Sequence, residues 1–171
     1  MRTPVLICTL ILLAGTVHAE PADLSTVPLE EVEITLERTA CFGICPVYSV
    51  TLCGDGTVRY VGERFVRVEG EVEDDVPVAS VVRLVNRFLA AHFFDAAPSY
   101  RRELEVVEGP DGTLEWRAME ITDMPTTILS LRIGANAHRV SLYFGYPQAL
   151  MDLADAVDEA AGTARWVEKE R

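Results

Sequence analysis

Apolar residues recur along the chain with two different periods. Val32, Ile34 and Leu36 alternate with Glu33, Thr35 and Glu37, the period-2 pattern of a half-buried strand. Tyr48, Val50 and Leu52 repeat it, and Gly54-Asp55-Gly56 is a tight hairpin turn into a third strand at Val58 and Tyr60. Gly62 marks a bulge or bend before Phe65 to Val68, so this stretch reads as a three-stranded meander. The period then changes. Asp74-Asp75 and Pro77 are helix-start signals, and Val78, Val81, Val82, Val85, Phe88 and Leu89 fall at three-and-four spacing, which predicts an amphipathic helix over about 77–92.

Residues 101–120 alternate weakly around Gly109-Pro110-Asp111-Gly112 and read as a protruding hairpin. A second hairpin follows, with Leu129, Leu131 and Ile133 on one strand, a turn at 134–137, and Val140, Leu142 and Phe144 on the return. Pro147 opens a last helix whose stripe is Leu150, Leu153, Ala154 and Val157, and Gly162 caps it. Strands, helix, strands, helix joined by short turns make an α+β domain. Its simplest form is an antiparallel sheet with both helices packed on one face and the other face solvated. No Gly-rich loop joins a strand to a helix, which argues against a nucleotide-binding unit.

The first nineteen residues follow neither period. Met1-Arg2 is a short positive start, Val5 to Leu13 is apolar apart from Thr9, and Val17-His18-Ala19 has the small or aliphatic residues of a cleavage site. Residues 1–19 therefore read as a secretory signal peptide cut after Ala19. Residues 20–30 read as an irregular lead-in, 31–167 as one α+β domain and 168–171 as a charged tail. The expected destination is the periplasm or the extracellular space. No later segment approaches the roughly 20 apolar residues of a membrane span.

Charge narrows the partners. The 171 residues carry 15 Lys+Arg against 27 Asp+Glu, a formal net charge of −12, so the chain has no means of displacing counterions from phosphates and nucleic acid is not expected. Export also changes how the cysteines read. With Cys8 removed, Cys41, Cys45 and Cys53 remain, and an odd number in an oxidising compartment implies one disulfide and one leftover thiol, or an intermolecular pair. Three pairings are possible.

The run Cys41-Phe42-Gly43-Ile44-Cys45-Pro46-Val47-Tyr48-Ser49-Val50, followed by Gly54-Asp55-Gly56-Thr57-Val58, resembles the N-terminal signature of a bacterial family of secreted domains of unknown function. The resemblance continues through Phe93-Phe94, Thr122-Asp123-Met124-Pro125-Thr126-Thr127, and Pro147 to Trp166. It implies the fold limits and export and carries no activity with it. Against the family's pattern, residues 101–120 look like a private insertion, and Cys53 stands where a non-cysteine is expected.

Chemistry must come from the residues themselves. Cys-x-x-x-Cys-Pro is also the spacing of secreted copper-delivery and thiol-redox proteins, in which the motif begins a helix. Here it leads into strand-spaced Tyr48, Val50 and Leu52, which favours a bridged turn in which Cys41 and Cys45 form a structural clasp. Under the copper alternative a third ligand would come from His138, at an exposed hairpin position, or from His92, at the end of the first helix. Asp123 is expected to receive backbone N–H groups in a turn, and Asp55 to serve its hairpin turn. Trp116, alternating with Leu114 and Ala118, is a core position or, on a free hairpin, a partner contact. Glu103 and Glu105 share a strand face expected to be solvated. No nucleophile has a base in view and no four-ligand zinc spacing exists, so no enzyme is expected. The expected protein is a small exported domain with a binding or structural role toward an envelope or extracellular partner and without a cofactor; the alternative is a copper-binding or thiol-redox protein.

Overall fold

The computed structural model describes residues 26–119 and 121–167. The expected leader at 1–19, the first part of the lead-in and the tail at 168–171 lie outside the described residues.

The strands come in chain order as β1 (Val32–Arg38), β2 (Val47–Cys53), β3 (Thr57–Arg64), β4 (Gly70–Asp75), β5 (Ser99–Arg101), β6 (Glu103–Glu108), β7 (Leu114–Met119), β8 (Thr127–Ile133) and β9 (Asn136–Phe144). The helices are α1 (Val78–Ala90), α2 (Gln148–Ala161) and a single turn α3 (Ala164–Val167). Seven strands form one sheet in the order β4-β3-β2-β1-β8-β9-β5, and β6 and β7 form a separate ribbon. All pairings are antiparallel except β5 with β9. The fold is α+β.

Alternation decides which face is covered. Ile34 and Leu36 of β1, Val50 and Leu52 of β2, Val58 and Tyr60 of β3, and Leu129 and Leu131 of β8 all point to one side. There they join Val81, Leu84 and Phe88 of α1 and Leu150, Leu153, Ala154 and Val157 of α2 in one core. Both helices lie on this face, as their spacing predicts. The opposite face is polar and half exposed. Across it Thr35 and Thr51 hydroxyls pair at 3.1 Å, and Arg139 donates two hydrogen bonds to Glu37, at 2.7 and 3.2 Å.

Three elements differ from the sequence reading. The meander has four strands, because Phe65 adopts φ 58° and the chain turns there. Residues 65–68 are thus a connection, whose Val66 is buried and whose Val68 N–H donates to the carbonyl of Trp166 at 2.9 Å. The strand that returns, β4, carries Glu71, Glu73 and Asp75 on its outward positions, and Val72 is its one apolar contribution to the core side. Asp74 and Asp75 consequently close a strand and do not start the helix, which begins after Pro77. Gly62 lies within β3 beside a register shift opposite Val47/Tyr48. A side chain there would collide with the carbonyl of Val68, so this glycine allows the connection to lie against the strand. The third difference is β5, whose three residues offer no alternation to read.

Candidate functional site at the disulfide loop

Between β1 and β2 the chain leaves the sheet in a short loop closed by a disulfide between Cys41 and Cys45, with Cα atoms 5.8 Å apart. Of the three pairings open to the sequence this one is formed, and Cys53 is free. Within the loop the Gly43 N–H donates to the Cys41 carbonyl at 2.9 Å. Pro46 brings the chain into β2. The two large apolar residues of the loop face solvent: Phe42 is 88% exposed and Ile44 83%. A free loop with these residues would fold them inward or lose them in a mobile ensemble. Covalent closure holds them out.

A segment some 80 residues further on secures the loop from the side. The Phe42 N–H donates to the carbonyl of Asp123 at 3.1 Å, and Thr39 N–H to the carbonyl of Thr126 at 3.0 Å. In return the Thr126 N–H donates to the Thr39 hydroxyl at 2.9 Å, and the Met124 N–H to the Tyr143 hydroxyl at 3.3 Å. Asp123 has φ 76°. Its carboxylate accepts from the Thr122 hydroxyl, and the backbone N–H that Asp123 receives, from Phe42, comes to its carbonyl. Pro125 follows in the same segment. The two runs Cys41–Pro46 and Thr122–Thr127, separate in sequence, are one surface. Beside it an open cleft of about 450 Å³ is lined by Arg101, Ile121, Thr122, Thr126 and Tyr143.

Beneath the loop lies a polar network that the sequence reading missed. Arg38, in phase with inward Ile34 and Leu36, donates from Nε and Nη2 to Asp158 Oδ2 at 3.1 and 2.7 Å. It also reaches Asp155 at 3.0 Å and the Thr127 hydroxyl at 3.4 Å. The other carboxylate oxygen, Asp158 Oδ1, accepts from Tyr48 at 2.8 Å and from Thr163 at 2.6 Å. Burial works against the Arg38 charge, but the Asp158 carboxylate outweighs it and the guanidinium titrates above its ordinary range. Burial, and next the Asp158 charge, push the Tyr48 phenol up against the opposing pull of Arg38. The same two causes push Tyr60, which stacks on Trp166 at 4.9 Å between centroids, up to about 12. With four donors on its carboxylate, Asp158 has no lone pair left for a substrate proton. The network clamps the end of α2 to the strand ends that carry the loop. The signal for it was available: a charged residue in the inward phase of β1 and an acid in the inward stripe of α2 require each other.

The remaining candidates lie elsewhere. Asp55 accepts the Thr57 N–H at 2.9 Å in the β2–β3 turn, and that bond holds its carboxyl below the usual range. Gly54 and Gly56 flank it. His138 is not an exposed turn residue: it is half-buried on β9, its ring hydrogen-bonded to the Ala96 carbonyl at 2.9 Å and set edge-on to Phe93. In register His138 is opposite Leu131, which is opposite Ile34. That places it about 13 Å along the sheet from Arg38, and the structure does not bring it to Cys41 and Cys45. His92 is exposed just beyond α1, with φ 53° and Asp95 at 3.6 Å. Among the described residues no three His, Cys, Asp or Glu side chains converge as metal ligands. Burial raises the Cys53 thiol. Trp116 is not a core residue; it is 73% exposed on the ribbon.

A mostly antiparallel sheet backed on one face by two helices, with a disulfide-closed loop at one end, defines an exposed-loop α+β domain. The chain matches the family model described as Domain of unknown function (DUF6438) over residues 32–161, and it belongs to that family. No curated protein matches the chain, and no solved structure does. Among the described residues no helix is long and apolar enough to cross a membrane.

Proposed function

We propose that this is a small exported domain without catalytic activity that binds a partner in the envelope or extracellular space, using the Cys41–Cys45 loop as the contact and its disulfide as a structural clasp. The observation that carries this reading is the outward display of Phe42 and Ile44 on a covalently closed loop. Large apolar side chains fixed in place before contact lose little conformational entropy on binding, which is what interface anchors require. Export is supported by the apolar run Val5 to Leu13 with Ala19 behind it, and a disulfide is consistent with an oxidising compartment.

The test is made on protein recovered after expression with its leader in a bacterial host. Intact mass is expected to begin at Glu20 and to include one disulfide, and alkylation under mild reductant is expected to label Cys53 alone. Phe42→Ser is expected to leave stability within about 0.5 kcal/mol of the parent, as for an exposed residue with no structural duty. An uncleaved cytoplasmic product overturns export. Ready labelling of Cys41 and Cys45 moves the reading to thiol or copper chemistry. A core-like loss of stability in Phe42→Ser removes the contact role.

A further inference from the structure

The two long helices lie on one face of the sheet and carry opposite charge. The stretch 76–94, which contains α1, has Arg83 and Arg87 and no acid, although the chain as a whole has a net charge of −12. Helix α2 has Asp152, Asp155, Asp158 and Glu159 and no base. Between them runs a groove of about 360 Å³, with Ser80, Arg83, Leu84 and Arg87 on one wall and Ala156, Glu159 and Ala160 on the other. The Arg83 guanidinium donates to the Ser80 hydroxyl at 2.9 Å, which steadies it on its own wall. Arg83, Arg87 and Glu159 are exposed, and among the described residues none of the three forms an ion pair. The groove therefore has walls of opposite sign whose charges the chain itself leaves unpaired.

We propose that this groove is a self-association surface, on which the helices of a second copy pack about a two-fold axis running along it. Such an axis exchanges the two walls and keeps position along the groove. Arg83 and Arg87 of each copy are thereby set against Glu159 of the other, and the contact forms twice. Charge complementarity selects this occupant. A uniformly acidic partner would meet Arg83 and Arg87 but be repelled by Glu159 and by exposed Asp152, and a uniformly basic one would meet the reverse; a second copy brings both signs in the order required. Two helices of this length side by side offer roughly 20 Å by 20 Å of surface. That is below the roughly 800 Å² per partner of a standard interface, so the association is weak. The clamp on Asp158 ties the C-terminal end of α2 to the strand ends that carry the Cys41–Cys45 loop, so both loops of the pair lie at the same end.

Sedimentation velocity on the purified protein from about 10 to about 500 μM covers the affinities of such contacts. A reversible monomer–dimer equilibrium is expected. Arg83→Glu with Arg87→Glu sets like charges against Glu159 of the other copy and is expected to weaken it about tenfold; Glu159→Arg does the same from the other wall. An equimolar mixture of these two variants is expected to associate to within about threefold of the parent, because both contacts of the mixed pair again join opposite charges. Arg83→Gln with Arg87→Gln removes the charge from a good helix former and is expected to weaken association about threefold. The urea midpoint of each variant is expected to match the parent, since all three residues are exposed. A parent that stays monomeric throughout overturns the proposal. So does a dimer indifferent to the paired Gln substitutions, a mixture no tighter than its two variants alone, or a chain monomeric in solution that binds polyglutamate through Arg83 and Arg87.

Discussion

Arg38 and Asp158 stand 120 positions apart in sequence, yet Nη2 and Oδ2 meet at 2.7 Å beneath the disulfide loop. The Arg38 side chain is 23% exposed and that of Asp158 20%, so neither charge is well solvated without the other. Arg38→Met is expected to cost about 3 kcal/mol, chiefly by leaving the Asp158 carboxylate half-paired. Arg38→Met combined with Asp158→Leu is expected to lose less than the sum of the two single variants, the remaining cost being the Tyr48 and Thr163 hydroxyls left without their acceptor. Urea denaturation of the two single variants and the double variant forms the cycle that checks it.

The disulfide closes a loop of only five residues, for which the chain-entropy relation gives about 2 kcal/mol. Cys41→Ser is expected to lower stability by that amount without unfolding the domain, since the core lies elsewhere. The urea midpoint with unchanged m-value reads it. A loss near zero would mean that the hydrogen bonds between 39–42 and 123–126 hold the loop by themselves.

Gly56 and Gly70 have nearly the same φ, 99° and 94°. Their surroundings differ: a Cβ on Gly56 would strike the carbonyl oxygen of Val76, and one on Gly70 meets nothing. Gly70→Ala is therefore expected to cost about 1 kcal/mol of backbone strain. Gly56→Ala should cost about 3 kcal/mol, because the clash adds to that strain and threatens the Val76 N–H bond to Gly56. Thermal denaturation of the two alanine variants separates strain from collision.

Tyr48 and Tyr60 both hold their protons more tightly than a free phenol, Tyr60 up to about 12. An unfolded tyrosine ionises near pH ~10. Above that pH the unfolded chain sheds protons that the folded chain keeps, so stability present below about pH 10 is lost as pH rises toward 12. Urea midpoints in a Cys53→Ser background, which removes the free thiol, are expected to be flat to about pH 9.5 and to fall steeply beyond it. Tyr48→Phe should reduce the slope.

How far the fold could be read depended on whether an element contacts the core. β1, β2 and β8 have three or more inward apolar residues each and both long helices carry an apolar stripe, so these elements are legible, although α1 buries Leu84 with Val81 and Phe88 and leaves Val78, Val82 and Leu89 of the expected stripe exposed. β4 has only Val72 to contribute and three outward acids, and β5 is held by parallel pairing with β9, a non-local relation that leaves no local pattern. The ribbon's alternation was visible, but alternation reports that one face is apolar and not what covers it, which is why Trp116 could read as core. At the site, the cysteine turn and the Thr122–Thr127 segment each stand out in the sequence. Their adjacency depends on β1 pairing with β8, a register no single segment encodes. Arg38 carries no such signal by itself, because a charge at a strand end is ordinarily solvated.

The two borders of the seven-stranded sheet share a consequence. One border is β4, which offers Glu71, Glu73 and Asp75 to any approaching strand, and the other is β5, which ends after three residues. Neither provides a long uncharged backbone template, so lateral growth of the sheet into fibres is obstructed at both sides. At high concentration this domain has its main sheet shielded from strand-by-strand polymerisation, and contacts between molecules are left to side chains.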